Sequence, residues 1–292
     1  MVCRLKIAYF RVGSFMDWGV VVGEYICDRQ YLSNLCGVEV PRDPIQFLSR
    51  SELVVNVSRA LGNIDLSYCI NLSYVKLLSP VPRPSKMVFV GLNYLDHAKE
   101  VGLEVPKEPV IFLKPPSALI GPNDDIVLPK RSKKVDYEGE LAVVIGRRCK
   151  NVRRNEALNY VAGYMVMNDV SARDVQKALG QWDKAKGFDT FAPCGPWLAT
   201  PDEVGDPNNL RIVTKVNGEI VQDSGTWNMI FKVPDLIQDI SEVMTLEPGD
   251  IISTGTPSGV GQSRGRFLKP GDIVEVCIER IGCIKNKVVE ER

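Results

Sequence analysis

Three carboxylates alternate along one short segment, Asp136, Glu138 and Glu140, directly before the apolar run 141–145. The run is short and β-branched and ends at a glycine, so we predict a buried strand. Because side chains alternate faces along a strand, the three carboxylates share one face. They repel each other there unless a cation lies between them, and oxygen ligands suit Mg²⁺, Mn²⁺ or Ca²⁺. For this segment alone, the alternative is a strand end with a solvated acidic face.

A further carboxylate follows a second apolar run, 161–167. Asp169 comes just after that run, and Ser171 with Asp174 predicts a helix N-terminus behind it. Asp169 therefore lies where a strand gives way to a helix, a usual place for a site residue on a rigid support. Asp136 is either a fourth ligand or a partner of the ligands. The predicted metal ligands are Glu138, Glu140 and Asp169.

The chain contains a single histidine, His97, and Glu100 follows three positions later. Residues three apart are neighbours on a helix surface. A carboxylate that holds an imidazole raises its basicity and fixes its orientation, which suits a general base. The alternative is an ordinary surface histidine.

Five segments in one order closely resemble the fumarylacetoacetate hydrolase family. The resemblance runs from about Pro82 to the C-terminus, and the first eighty residues do not carry it. The segments are GLNYLDHAKE at 91–100, DYEGE at 136–140, NDVSARDVQ at 168–176, KGFDTF at 186–191 and TGTPSGVG at 254–261.

The resemblance implies that the His97–Glu100 pair activates water and that Lys186 holds an oxyanion or orients the carboxylates. It also implies three substrate contacts, although Arg173 could simply pair with acidic neighbours and a glycine-rich loop is often only a turn. These predicted substrate-binding residues are Arg173, Gln176 and Thr256.

The implied reaction acts on a 2-oxo acid held by a divalent ion. Activated water attacks the distal carbonyl of a β-diketo acid, the C–C bond breaks, and the metal stabilises the resulting enolate. We therefore predict a metal-dependent C–C hydrolase of the acylpyruvate type. The alternatives are an isomerase or decarboxylase of unsaturated 2-oxo diacids, a 2-keto-3-deoxy sugar acid dehydratase and a non-catalytic metal-binding protein.

Composition narrows the possible partners and the compartment. The 292 residues carry 36 basic and 36 acidic side chains, which argues against a nucleic-acid or membrane-surface binder. The sequence has no signal-peptide pattern and no apolar stretch of membrane-spanning length.

The eight cysteines lack CxxC pairs, so we predict reduced thiols in a cytoplasmic protein. The basic run 130–134 is a solvated loop or attracts an anionic substrate. The family resemblance implies a homodimer.

The predicted fold is α+β and β-rich. The proline-dense segment 77–84 predicts a boundary between a small N-terminal α+β lobe, residues 1–80, and a catalytic domain, residues 81–292. The resemblance implies that the second domain is a rolled mixed β-sheet. We also predict helices at 44–60 and 233–244, a loop at 180–191, a hairpin around Asn217-Gly218, and a mobile lid formed by the helix that carries His97.

Overall fold

The computed structural model describes residues 3–292, and its β-rich α+β fold confirms the predicted class. The strands are β1 (Lys6–Val12), β2 (Phe15–Val22), β3 (Tyr25–Asp28), β4 (Ile70–Asn71), β5 (Lys76–Leu78), β6 (Met87–Gly91), β7 (Val110–Lys114), β8 (Leu119–Ile120), β9 (Ile126–Leu128), β10 (Val135–Asp136), β11 (Gly139–Ile145), β12 (Val161–Asn168), β13 (Ser171–Ala172), β14 (Ala192–Ala199), β15 (Arg211–Val216), β16 (Glu219–Gly225), β17 (Ile251–Ser253), β18 (Ile273–Ile278) and β19 (Gly282–Glu290). The helices are α1 (Arg29–Cys36), α2 (Pro44–Leu48), α3 (Ser51–Ala60), α4 (Leu95–Val101), α5 (Arg173–Leu179), α6 (Trp182–Lys186), α7 (Pro201–Val204), α8 (Val233–Val243) and α9 (Gly261–Arg264). Within residues 3–292, no helix is long and apolar enough to span a bilayer.

The strands form two large sheets and one small one. The main sheet has the order β4-β3-β2-β1-β14-β12-β11-β17-β6-β7, with β5 beside β1 and β8 beside β14. The second sheet has the order β16-β15-β18-β19-β9, and β10 pairs with β13. Most neighbours are antiparallel, whereas β6 with β17, β8 with β14 and β9 with β19 are parallel. The sheets are therefore mixed.

The largest apolar core lies between the two large sheets and α8. Leu141 and Val143 of β11 face it together with Ile212 of β15, Val276 of β18 and Leu236 of α8. The intervening side chains of β11 join a second core on the opposite face of the main sheet. Strand β11 is thus buried on both faces, which explains why its residues 141–145 are all apolar rather than alternating.

The N-terminal strands and helices enclose a core of their own. Trp18 and Phe47 are central to it, with ring centroids 4.9 Å apart. Strand β1 pairs with β14 through Lys6 opposite Ala199 and Ile7 opposite Leu198. The N-terminal strands therefore continue the main sheet, and the division of the chain at residue 80 stays a prediction.

One edge of the main sheet gathers the chain segments that carry the candidate site. The parallel strands β6 and β17 end at this edge, β12 ends there, and the antiparallel strand β11 begins there. The loops that follow β6, β12 and β17 therefore converge on the start of β11. This arrangement brings together motifs that lie far apart in the sequence.

Several local predictions were confirmed and others were wrong. The hairpin β15–β16 turns at Asn217 and Gly218, both with positive φ, and the 233–244 pattern forms α8. The predicted helix 44–60 is instead two helices, α2 and α3, and the predicted loop 180–191 contains α6. Ser171 is not a helix cap, because it lies in β13 opposite Asp136.

The prediction that all cysteines are reduced thiols was wrong for two pairs. Cys27 of β3 is bonded to Cys69, which directly precedes β4, the strand that pairs with β3. Cys277 and Cys283 lie opposite each other in the β18–β19 hairpin and are also bonded. Strand pairing brings the two cysteines of each bond together, so the spacing of the cysteines in the sequence does not predict the disulfides.

Candidate functional site

The three predicted metal ligands lie together and are buried. Asp169 follows β12, and its backbone N–H donates to the carbonyl oxygen of Glu138 across 2.8 Å. Glu140 is the second residue of β11. Each of the three residues offers an oxygen, and these oxygens all lie within 4.8 Å of one another. At most 5% of any of the three residues is exposed.

Asp136 lies outside this cluster because the strand is interrupted between β10 and β11. Its carboxylate accepts from Arg173 Nε at 2.8 Å, and from the backbone N–H groups of Gly261 at 2.7 Å and Gln262 at 2.9 Å. Asp136 therefore ties α5 to the start of α9. Of the two roles left open by the sequence, these contacts favour a partner of the site over a ligand.

Two cations contact the cluster from the cavity side. Lys186 Nζ lies 2.6 Å from Glu138 Oε2 and 2.5 Å from Asp169 Oδ2, and Arg173 forms an ion pair with Glu138. Burial opposes ionisation of Glu138, but Arg173 and Lys186 outweigh it and hold the pKa of Glu138 below its usual range. Glu138 is therefore a carboxylate at neutral pH.

A third cation, Lys114, contacts the cluster from behind. Its Nζ lies 2.6 Å from Asp169 Oδ1 and within hydrogen-bond distance of two backbone carbonyls. Burial lowers the pKa of Lys114 to about 8, although Asp169 pulls the pKa in the opposite direction.

Glu140 is the carboxylate that has no cationic partner within the described part of the chain. It accepts from Ser253 Oγ at 2.5 Å and from the backbone N–H of Gly255 at 3.0 Å. Burial and then the nearby Asp169 and Glu138 raise its pKa well above the usual value. A buried oxygen cluster that lacks positive charge on one side fits a hard divalent cation.

The predicted acid–base pair is formed on α4. His97 Nδ1 lies 3.0 Å from Glu100 Oε2, and the other oxygen of Glu100 accepts from the backbone N–H of Gly259 at 2.8 Å. Asp96 accepts from Ser224 Oγ at 2.6 Å. The pair is thus oriented by the loop after β17, and the base of its helix is anchored to β16.

One cavity of about 1470 Å³ connects these groups. Glu100 and Asp169 do not line the cavity themselves. Glu100 contacts the lining residue His97, and Asp169 contacts the lining residue Lys186. The predicted site residues that line the cavity are His97, Glu138, Glu140, Arg173, Gln176, Lys186 and Thr256. Lys134 and Lys177 also line it.

Sequence reasoning missed two buried polar residues, Lys114 and Gln222. The amide of Gln222 accepts from the N–H of Gly139 and donates to Thr256 Oγ1 and the Pro257 carbonyl, at 2.9–3.0 Å in each case. It thereby fixes the loop after β17 against β11. Lys114 ends an apolar strand just before two prolines, and Gln222 lies in a hairpin strand, so neither sequence context indicates an inward side chain.

Comparisons with known proteins show which family the chain resembles. The family described as fumarylacetoacetate (FAA) hydrolase C-terminal matches residues 86–289. The mitochondrial oxaloacetate tautomerase Fahd2a of Rattus norvegicus is 50% identical over 253 residues, which is 86% of this chain and 80% of that protein. An uncharacterised protein of Archaeoglobus fulgidus is 53% identical over 223 residues, 76% of this chain and 86% of that one.

Solved structures share the fold along nearly the whole chain. A 2-hydroxyhepta-2,4-diene-1,7-dioate isomerase from Mycobacterium marinum has a TM-score of 0.77 at 38% identity and covers 98% of this chain and 99% of its own. A maleylpyruvate hydrolase from Sphingobium sp. SYK-6, in complex with manganese (II) ion and pyruvate, has a TM-score of 0.80 at 34% identity, covering 98% and 100%. With its matched family segment, its buried carboxylates and these relatives, the chain belongs to the fumarylacetoacetate hydrolase family, a family of enzymes that act on small molecules.

Proposed function

We propose that the protein is a divalent-metal-dependent tautomerase of a 2-oxo dicarboxylic acid, with oxaloacetate as the first substrate to test. The observation that carries the proposal is that one acid–base pair, His97–Glu100, and one buried carboxylate cluster meet in the same cavity. Tautomerisation needs one group that moves a proton and a site that holds the 2-oxo acid. The relative named oxaloacetate tautomerase, at 50% identity, supports this reaction over the hydrolysis predicted from the sequence.

The metal in this proposal is Mg²⁺ or Mn²⁺, held by Glu138, Glu140 and Asp169. The relative solved with manganese (II) supports a divalent ion, and the all-oxygen donor set supports a hard one. When bound, the ion supplies Lewis acidity that polarises the keto oxygen of the substrate.

The side chains of the chain account for the proton movement. His97 takes a proton from C3 as that C–H bond breaks, and a proton is returned to the former keto oxygen as the O–H bond forms. No water is consumed. Glu100 holds the imidazole through Nδ1, which leaves Nε2 for the substrate. Lys186 supplies a fixed positive charge beside the oxygen that becomes negative.

The mouth of the cavity supports a substrate with a second carboxylate. Lys134 and Lys177 line it, and among residues 3–292 neither ammonium forms an ion pair. Lys177 lies one helical turn after Arg173 on α5, and Lys134 lies directly before β10. Both cations can therefore meet the distal carboxylate of a diacid whose 2-oxo end is at the carboxylate cluster.

Hydrolysis of a β-diketo acid is the second candidate. The solved maleylpyruvate hydrolase, at 34% identity, supports it. The same His97 would then deprotonate a water molecule rather than C3. The two reactions differ in their products, because hydrolysis breaks a C–C bond and tautomerisation does not.

A substrate panel tests the proposal. Purified protein would be assayed with Mg²⁺ and with Mn²⁺ against oxaloacetate, acetylpyruvate, fumarylpyruvate, an unsaturated 2-hydroxy-dienoate diacid and a 2-keto-3-deoxy sugar acid. We expect faster keto–enol exchange of oxaloacetate, followed by ultraviolet absorbance, without loss of CO₂. Cleavage of acetylpyruvate or fumarylpyruvate alone would establish the hydrolase instead. Metal binding without any turnover would favour a non-catalytic protein.

Assembly and compartment stay predictions. We propose a homodimer on the basis of the family resemblance, and light scattering at micromolar concentration tests it, a monomeric mass being the contrary result. The predicted cytoplasmic location is one of several open to the family, because the tautomerase of Rattus norvegicus is named mitochondrial.

A further inference from the structure

Lys114 is a charged side chain that is completely enclosed at the end of β7. Its side chain has 0% exposure. The ammonium lies 2.6 Å from Asp169 Oδ1, 2.6 Å from the carbonyl oxygen of Phe191 and 3.1 Å from that of Val170. An ammonium has three N–H donors, so all three are used. Lys114 is therefore fixed in one place and has no donor left for a ligand.

The geometry also separates Lys114 from the cavity. It is not among the lining residues, and its ammonium lies 5.0 Å from the ring centroid of Phe89 on the core side. Asp169 is the side chain that accepts its hydrogen bond. Of the three cluster carboxylates, Lys114 therefore hydrogen-bonds Asp169 alone.

The two oxygens of Asp169 have different partners. Oδ1 is held by Lys114, whereas Oδ2 is 2.5 Å from Lys186, which also contacts Glu138. Oδ2 thus lies on the side of Glu138 and the cavity-lining Lys186, and Oδ1 lies on the side of Lys114. With Lys114 in place, the carboxylate cannot rotate without breaking a buried ion pair.

A buried positive charge beside a cation site is costly in two ways. Burying an ammonium is unfavourable, and an apolar side chain of similar size often serves stability equally well. Its charge also repels an incoming divalent cation. Orientation of Asp169 is a benefit that an apolar side chain at position 114 cannot provide.

We propose that Lys114 is a positioning residue, which fixes the carboxylate of Asp169 so that a single oxygen is presented to the divalent cation. The inference rests on the metal site of the proposed function and goes beyond it, since neither the sequence motifs nor the proposed reaction assigns a role to Lys114.

Three possible roles predict different changes in metal affinity. A positioning role predicts weaker binding when the lysine is removed, because the partners of metal ligands typically contribute 10–100-fold to affinity. A purely electrostatic role predicts tighter binding, because a repelling charge is lost. A purely structural role predicts a less stable protein with unchanged affinity.

The experiment compares Lys114→Met with the wild-type protein by calorimetric titration with Mn²⁺ alone. We expect the dissociation constant to rise about 10–100-fold. The matched control is Lys86→Met, because Lys86 lies directly before β6 and pairs with the buried Asp250, and neither residue lines the cavity. That variant should lose stability but keep its affinity for Mn²⁺.

Unchanged or tighter binding of Mn²⁺ by Lys114→Met overturns the proposal. If that variant does not fold, Lys114→Gln, which keeps an N–H donor, is titrated instead, and affinity equal to or above the wild-type value again overturns it. Because no substrate is present, a wild-type protein that binds Mn²⁺ but does not tautomerise oxaloacetate contradicts the proposed reaction without affecting this test. A wild-type protein that does not bind Mn²⁺ overturns both.

Discussion

The backbone N–H of Asp169 donates a hydrogen bond to the carbonyl oxygen of Glu138 across 2.8 Å. This bond joins the residue after β12 to the residue before β11, and it continues the pairing of the two strands beyond Gly139 and Asn168. The distance between the two carboxylates is thereby set by sheet register rather than by loops. A site held in this way is preorganised before any ligand arrives.

The first prediction concerns metal-dependent stability. The protein in EDTA should unfold at a lower temperature than the protein with Mn²⁺, because a ligand that binds the folded state stabilises it. At one hundred times the dissociation constant, the added free energy of unfolding is about 2.7 kcal/mol. Glu140→Gln should abolish this shift, since Glu140 lies within the carboxylate cluster. Differential scanning calorimetry measures it.

The control for that experiment is Glu275→Gln, which removes a carboxylate that pairs with Lys215 on the second sheet. The Mn²⁺-induced shift should persist in this variant. An equal shift in Glu140→Gln and wild-type protein would rule out Glu140 as a ligand.

The second prediction separates proton transfer from metal binding. His97→Ala and Glu100→Gln should each slow oxaloacetate tautomerisation by about 10²–10⁴-fold, the usual contribution of a general base. Their affinity for Mn²⁺ should be unchanged, because neither residue belongs to the carboxylate cluster. Lys99→Ala, on the same helix, is the control and should keep full activity. Undiminished turnover in His97→Ala would remove the histidine from the mechanism.

The sequence alone predicted those parts of the site that depend on local patterns of apolar and acidic residues. The apolar runs predicted β11 and β12, so the positions of Glu140 and Asp169 at the sheet edge followed from strand boundaries alone. Strict alternation failed at Tyr137, where the strand is interrupted, and Asp136 consequently has other partners.

The missed features depend on contacts between distant segments. Lys114 reaches Asp169 only because β7, β6 and the residues after β12 meet in three dimensions. The disulfides likewise follow from strand register. Residue type and spacing carry no record of such contacts, so a strand-end lysine and a set of scattered cysteines look ordinary in the sequence.

The third prediction concerns the helix that carries His97. Gly102 has a φ of 67° and ends α4. Gly91 has a different role, because a Cβ at that position would lie 2.1 Å from the Trp182 ring and so would clash with it. We predict that Gly102 acts as a hinge and that the hydrogen bond between Glu100 and Gly259 forms when the lid is closed. Amide exchange of residues 95–101 should slow when Mn²⁺ and oxalate are added, as expected for a lid. Exchange in α8 should not change, and equal protection of 95–101 in both states would contradict a lid.

The last prediction tests the second carboxylate of the substrate. Lys134→Ala and Lys177→Ala should each raise KM for oxaloacetate roughly two- to fivefold and leave kcat nearly unchanged, because exposed ion pairs contribute about 0.2–1 kcal/mol. The effect should shrink at high salt, which screens exposed charges. Binding of pyruvate, which has no second carboxylate, should be the same in wild type and variants. Lys133→Ala is the matched control, since Lys133 neighbours Lys134 but does not line the cavity. If pyruvate binding weakens as much as oxaloacetate binding, the two lysines attract anions in general rather than recognise the distal carboxylate.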